Sequence, residues 1–285
     1  MSFPFRSLAL GFLLYASGAD SIQTPATFST APSNAIPFRL GNDFLIIVEG
    51  QIGPLKPLKF ILDTGATRTM VDARIADKLC LPRRKGKVLN FDKGIKVDWT
   101  NLPELHLGPL VGRDLPVMVG DLKRISEFAE GVDAILGLDL LRTAESIRID
   151  YLSHLVSIEN RADGLVSSLD GNALTVLVPL QGRPARLIVD TGLQGLLLYK
   201  DRIRRHLPQL ESNGTFALAH AGRFKGQTGI LSSIRLGVDE LQSSVLLLPW
   251  APASLPADID GYIGTNLLHA QMVELNFVSK TLRWQ

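Results

Sequence analysis

The chain has 285 residues, 46% hydrophobic and 20% charged, enough for one large or two ordinary domains with proper cores and too apolar for disorder. Thirty basic against 28 acidic side chains leave a formal charge of +2, too balanced to point to a nucleic-acid or membrane-surface partner. The single cysteine, Cys80, excludes an intramolecular disulfide.

The first segment, MSFPFR, SLALGFLLYA and SGAD, combines a positive charge, an apolar run and small residues, the layout of an export signal over residues 1–19. Ala16 and Gly18, or Ser17 and Ala19, could fill the two small-residue positions before a cleavage point. The apolar run is short for a membrane span, so none is expected in the mature chain. The expected location is secreted or periplasmic, with an N-terminal anchor if the signal stays uncleaved. Residues 20–40, rich in Ser, Thr and Pro, read as a flexible leader.

Residues 41–160 are mostly β in character: FLIIVEGQIG, KPLKFILD and LPVMVG are short runs bounded by Gly and Pro. KPLKFILD ends in Asp63, and Asp63-Thr64-Gly65 puts a lone carboxylate where an apolar strand meets a turn. Such a group is costly unless paired or hydrogen-bonded. Thr64 can donate or accept locally, and Gly65 permits a tight turn that aims backbone N–H groups at the carboxylate. VDARIADKLC then has a helical pattern, in which Cys80 reads as a buried structural thiol. The basic run Pro82–Lys87 reads as a solvated loop.

The second half, residues 161–285, repeats the first. IVDTGLQ, with Asp190, Thr191 and Gly192, follows ILDTGAT by 127 positions. Gly137 of AILGLDLL lies 74 residues after Asp63, and Gly264 of GYIGTNLL lies 74 after Asp190. ELHLG matches SIRLG, and IRIDYLSHLVSI matches VELNFVSKTLRW, in the same order. Four ordered matches at near-constant offset are a duplication, with its boundary around residues 160–171. The expected fold class is therefore mainly β, in two similar lobes with few helices. A pseudo-two-fold axis would bring Asp63 against Asp190, and two carboxyls so close cannot both ionise easily. One base and one acid on a shared water is what hydrolysis of an unactivated amide needs.

ILDTGAT and IVDTGLQ, each followed by an apolar-apolar-Gly signature, resemble the aspartic proteases of the retropepsin and pepsin superfamily. LDTGAT, DAILGLDLL and IRIDY look especially like the bacterial retropepsin-like family, here as two copies in one chain. The resemblance spans roughly residues 40–285 and implies a bilobal acid-protease fold, a peptide or protein substrate in a central cleft, and no metal or organic cofactor. It implies that Asp63 and Asp190 are catalytic, that Thr64 and Thr191 brace them, and that Gly137 and Gly264 pack behind their loops. Thr67 matches the small hydroxyl that often bonds the outer carboxylate oxygen. Leu193-Gln194 departs from that pattern, so Asp190 is expected to be the more readily protonated partner. The family's flap hairpin has candidates in Leu89–Trp99 and His220–Ile230, neither with a tyrosine, and Trp99 sits near the substrate or in the core.

Other chemistries find little support. The five histidines are scattered without metal-ligand spacing, and no G-x-S-x-G elbow occurs. HAGRFKGQTGI looks like a phosphate loop, but a strand-like run follows it where a helix would be needed. Asn213-Gly214-Thr215 matches a glycosylation sequon that reads as accidental. The expected protein is an aspartic endopeptidase active as a monomer. The alternatives are a peptide-binding module or a structural envelope protein on the same fold.

Overall fold

The computed structural model of the chain describes residues 23–25, 35–90, 93–125, 129–161, 173–203, 209–218, 222–236 and 239–285. The expected export signal lies outside them, as does most of the leader. Among the described residues no helix is long and apolar enough to cross a membrane.

The fold is mainly β, in two lobes built on a thirteen-stranded and a seven-stranded sheet. Strand Leu55–Leu62 ends in three residues that are apolar without alternation, because both of its faces are covered. Phe60 and Leu62 enter the main core, while Ile61 faces a second cluster with Ala66 and Met70. The second copy does the same in strand Arg183–Asp190: Leu187 and Val189 enter the main core, and Ile188 joins a third cluster with Leu193 and Tyr262.

Strand registers repeat the duplication residue by residue. Phe60, Ile61 and Leu62 pair in parallel with Ala134, Ile135 and Leu136; Leu187, Ile188 and Val189 pair in parallel with Gly261, Tyr262 and Ile263. Met70↔Ile135 and Leu197↔Tyr262, both antiparallel, add the third strand of each unit at the same spacing. Half-buried acceptors follow suit: Lys59 N–H donates to Asp133 Oδ2 and Arg186 N–H to Asp260 Oδ2, at 3.0 and 2.9 Å.

The halves are not separate bodies. Strand Ala144–Asp150 pairs antiparallel with its own duplicate, Met272–Asn276, in the register Ser146↔Asn276 and Ile149↔Val273. Val273 is the duplicate of Ile147 and Leu275 that of Ile149, and Ile147 pairs with Leu275 as Ile149 does with Val273, so the pseudo-two-fold axis passes between these strands. Strand Thr281–Trp284 continues this shared sheet on one side, and Leu155–Asn160 and Ile36–Gly41 on the other. The main core accordingly runs from Phe38 to Leu282 without a break at residue 160.

Several local expectations are corrected. Ile36–Leu40, expected in the flexible leader, belong to a strand, and Gln23–Pro25 pair with Leu282–Trp284. The first helix is Ala73–Lys78, shorter than VDARIADKLC, because Met70–Asp72 is a strand whose Asp72 side chain caps the helix through the Arg74 N–H. Cys80 is exposed rather than buried: the chain leaves the helix through a left-handed residue there, at φ 50°. That turn sends Leu79 and Leu81 against the core instead. Arg84–Lys87 of the basic run are strand rather than loop, forming the start of Arg84–Asn90. Both flap candidates lie in hairpins, Arg84–Asn90 with Lys93–Leu107 and Gln209–Leu218 with Gly222–Leu236. Their tips, 91–92 and 219–221, fall outside the described residues.

Candidate active site

The two Asp-Thr-Gly turns meet across the pseudo-two-fold axis. Asp63 and Asp190 are both fully buried, each at the end of a strand whose N–H and C=O groups are committed to a parallel neighbour. Thr64 and Thr191 interlock symmetrically. The Thr64 N–H donates to Thr191 Oγ1 and the Thr191 N–H to Thr64 Oγ1, both at 3.1 Å. Thr64 Oγ1 in turn donates to the Val189 carbonyl and Thr191 Oγ1 to the Leu62 carbonyl, both at 2.8 Å. Four buried hydrogen bonds thus pin one turn to the other, and every partner lies in the opposite lobe.

The glycines set the approach of the two acids. A Cβ on Gly192 would lie 2.6 Å from Asp63 Oδ2, and one on Gly65 would collide with the Asp190 carboxyl. Each turn therefore lies flat on the carboxyl of the other lobe, which no larger residue allows. Gly137 and Gly264 fit behind. A Cβ on Gly137 would sit 2.6 Å from the Arg68 carbonyl carbon, and one on Gly264 would strike the Leu193 carbonyl oxygen.

Backbone amides hold the inner oxygens. Asp63 Oδ1 accepts from the N–H groups of Gly65 and Ala66, both at 2.9 Å, and Asp190 Oδ1 from Gly192 at 2.7 Å. The outer oxygens, Asp63 Oδ2 and Asp190 Oδ2, are buried with no hydrogen-bond partner among the described residues. Burial raises both carboxyls above the ordinary range. The charge of Asp190 lifts Asp63 further, against the pull of the Ala66 and Gly65 amides. Asp190 is pushed up to about 7 by burial, against the Gly192 amide and the Asp63 side chain. A carboxyl pair in this state retains one proton between its members over a wide pH range.

One sequence expectation changes here. Thr67 is half-buried and bonds neither carboxylate; the extra donor to Asp63 is the Ala66 amide. The bulky Leu193 does not intrude on the acids: it is 1% exposed and packs with Ile188, Leu197 and Tyr262. Trp99 lies over Gly86 of its hairpin and packs, partly buried, against the cluster holding Ala66 and Met70.

Asp139 and Asn266, 127 residues apart and outside the Asp-Thr-Gly motifs, each brace a turn. Thr69 donates through both N–H and Oγ1 to Asp139, and the Gly195 N–H donates to Asn266 Oδ1 at 3.0 Å. The duplication offset was the available signal, since it aligns GLD with GTN. Among the described residues no cluster of three or more His, Cys, Asp or Glu is arranged to hold a metal.

Among solved structures the chain is similar to a retropepsin-like aspartic protease from Rickettsia conorii, at 20% identity over 44% of this chain and 87% of that one, with a TM-score of 0.32. It is also similar to edgp, at 7% identity over 89% of this chain and 95% of that one, with a TM-score of 0.42. No curated protein matches it. Residues 48–140, which include the first Asp-Thr-Gly turn and Gly137, match the aspartyl protease family model. The likeness to that family is found over this segment of the chain, about a third of its length.

Proposed function

We propose that the protein is an aspartic endopeptidase whose dyad is Asp63 and Asp190. The observation that carries this reading is the pair of buried, donor-free Oδ2 atoms, each lying against the glycine turn of the other lobe. With one proton between them, such a pair holds a water, draws a proton from it and protonates the scissile carbonyl oxygen as the water oxygen bonds to carbon. The tetrahedral intermediate then collapses, the C–N bond breaks, and the dyad returns a proton to the leaving nitrogen. Thr64, Gly65, Thr191, Gly192, Gly137 and Gly264 keep the geometry; Thr67 has no such bond. An extended peptide would pair its backbone with a hairpin strand, and apolar pockets would set preference. Both acids belong to one chain, which favours a monomeric enzyme without metal or cofactor, and the signal-like N-terminus favours a secreted or periplasmic setting.

The test is cleavage of an unfolded protein across pH 3 to 8 by wild type, Asp63→Asn and Asp190→Asn. Each variant is expected to lose activity by about 10³-fold or more. Equal activity in all three, or none in wild type at any pH, would overturn the reading in favour of a peptide-binding or structural role.

A further inference from the structure

We propose that Asp139 is a positioning residue for Asp63, acting through Thr69 and the Ala66 backbone; this rests on the protease reading above. Asp139 is 8% exposed, on the short helix Leu138–Leu141 that follows Gly137. Its carboxylate accepts the Thr69 N–H at 2.9 and 3.0 Å, the Thr69 hydroxyl at 2.7 Å and the Leu140 N–H at 3.0 Å. With its O–H donated to Asp139, Thr69 Oγ1 presents its lone pairs to the Gly137 N–H and accepts from it at 3.1 Å. The next amide, Leu138 N–H, donates to the Ala66 carbonyl at 2.8 Å, and the Ala66 N–H donates to Asp63 Oδ1 at 2.9 Å. Ala66 is thus held at both ends, by Asp63 on one side and by the segment that Asp139 and Thr69 fix on the other.

The second lobe serves as an internal comparison. Asn266 stands where Asp139 would, and Leu196, without a hydroxyl, stands where Thr69 would. Asn266 Oδ1 takes one amide, from Gly195. In that lobe the equivalent of the Ala66 N–H, from Leu193, turns at 3.4 Å to the Asp190 backbone carbonyl. Only the Gly192 amide then donates to the Asp190 carboxylate from its own turn. The carboxylate brace accompanies two amides from its aspartate's own turn, and the carboxamide brace accompanies one, with the Gly65 amide of the other lobe also favouring the charged Asp190. Burial holds the Asp139 carboxyl above its ordinary range, while Thr69, the Arg68 charge and the Leu140 amide oppose the rise and favour its ionised form.

The experiment is Asp139→Asn in the full chain, with two readouts: kcat and KM on a peptide substrate, and ¹³C-carboxyl NMR titration of the dyad. Loosening of the Ala66 amide is expected to lower kcat about tenfold at unchanged KM and to raise the dyad's titration by about one pH unit. Thr69→Val is expected to act in the same direction, with Thr69→Ser rescuing it, so the test survives if Asp139→Asn fails to fold. Wild-type kcat and titration in Asp139→Asn or Thr69→Val would overturn the proposal. If wild type cleaves nothing, the protease reading fails on that result, and the titration still decides whether Asp139 positions Asp63.

Discussion

The acids at the centre of this molecule are a burden on its stability. A buried carboxyl whose pKa is raised on folding favours the folded state while protonated, below about pH 4, and loses that contribution as pH climbs through its folded value. For Asp190 that window runs from the ordinary 3.8 to about 7. Asp190→Asn is therefore expected to be more stable than wild type at pH 8, by a few kcal/mol, with the difference vanishing near pH 4. Denaturant melts of both proteins at the two pH values check this, and a pH-independent difference would contradict it. The Thr64–Thr191 interlock has the opposite sign. Thr64→Val removes the donor to the Val189 carbonyl and the acceptor for the Thr191 N–H, leaving two buried groups unpaired. A loss of about 2–4 kcal/mol is expected. Adding Thr191→Val should cost less than the sum of the single changes, as a double-mutant cycle would show.

At the scale of elements, each acid is placed by a strand buried on both faces, a glycine turn, and a second glycine behind the turn. Gly137→Ala puts a methyl group against the Arg68 backbone, where nothing flexible can give way. Overpacking there should cost about 1–3 kcal/mol and lower activity beyond the loss of folded protein, measured as kcat per folded molecule. The strands were readable in advance because uninterrupted apolar runs such as Phe60-Ile61-Leu62 and Leu187-Ile188-Val189 match burial on two sides. The helix ending at Lys78 and the outward Cys80 were not, since a left-handed residue after a helix depends on which neighbours the core accepts. The basic run is strand rather than loop for a related reason: solvent-facing strand positions carry lysine as readily as a loop does.

At the scale of the whole molecule, the last strands belong to both lobes. Val273, Leu275 and Leu282 are buried in the main core, and Glu274 pairs with Arg148 at 3.3 Å across the shared sheet. A chain ending at residue 271 should therefore lose cooperative folding of the first lobe as well as the second. Hydrogen exchange over residues 144–160 is the measurement; native-like protection there would refute the shared-sheet account.

The amino-acid order alone was sufficient for the duplication, its 127-residue period, the β character and the two Asp-Thr-Gly turns. Repeats, apolar runs and turn-forming glycines are local properties that any reading of the chain can register. The facing carboxyls, their donor-free outer oxygens, the unbonded Thr67, the Asp139 brace and the C-terminal strands inside the first lobe's sheet arose from contacts between residues far apart in sequence. Those contacts are selected by how two similar halves close over one core, and no short stretch of either half carries that information.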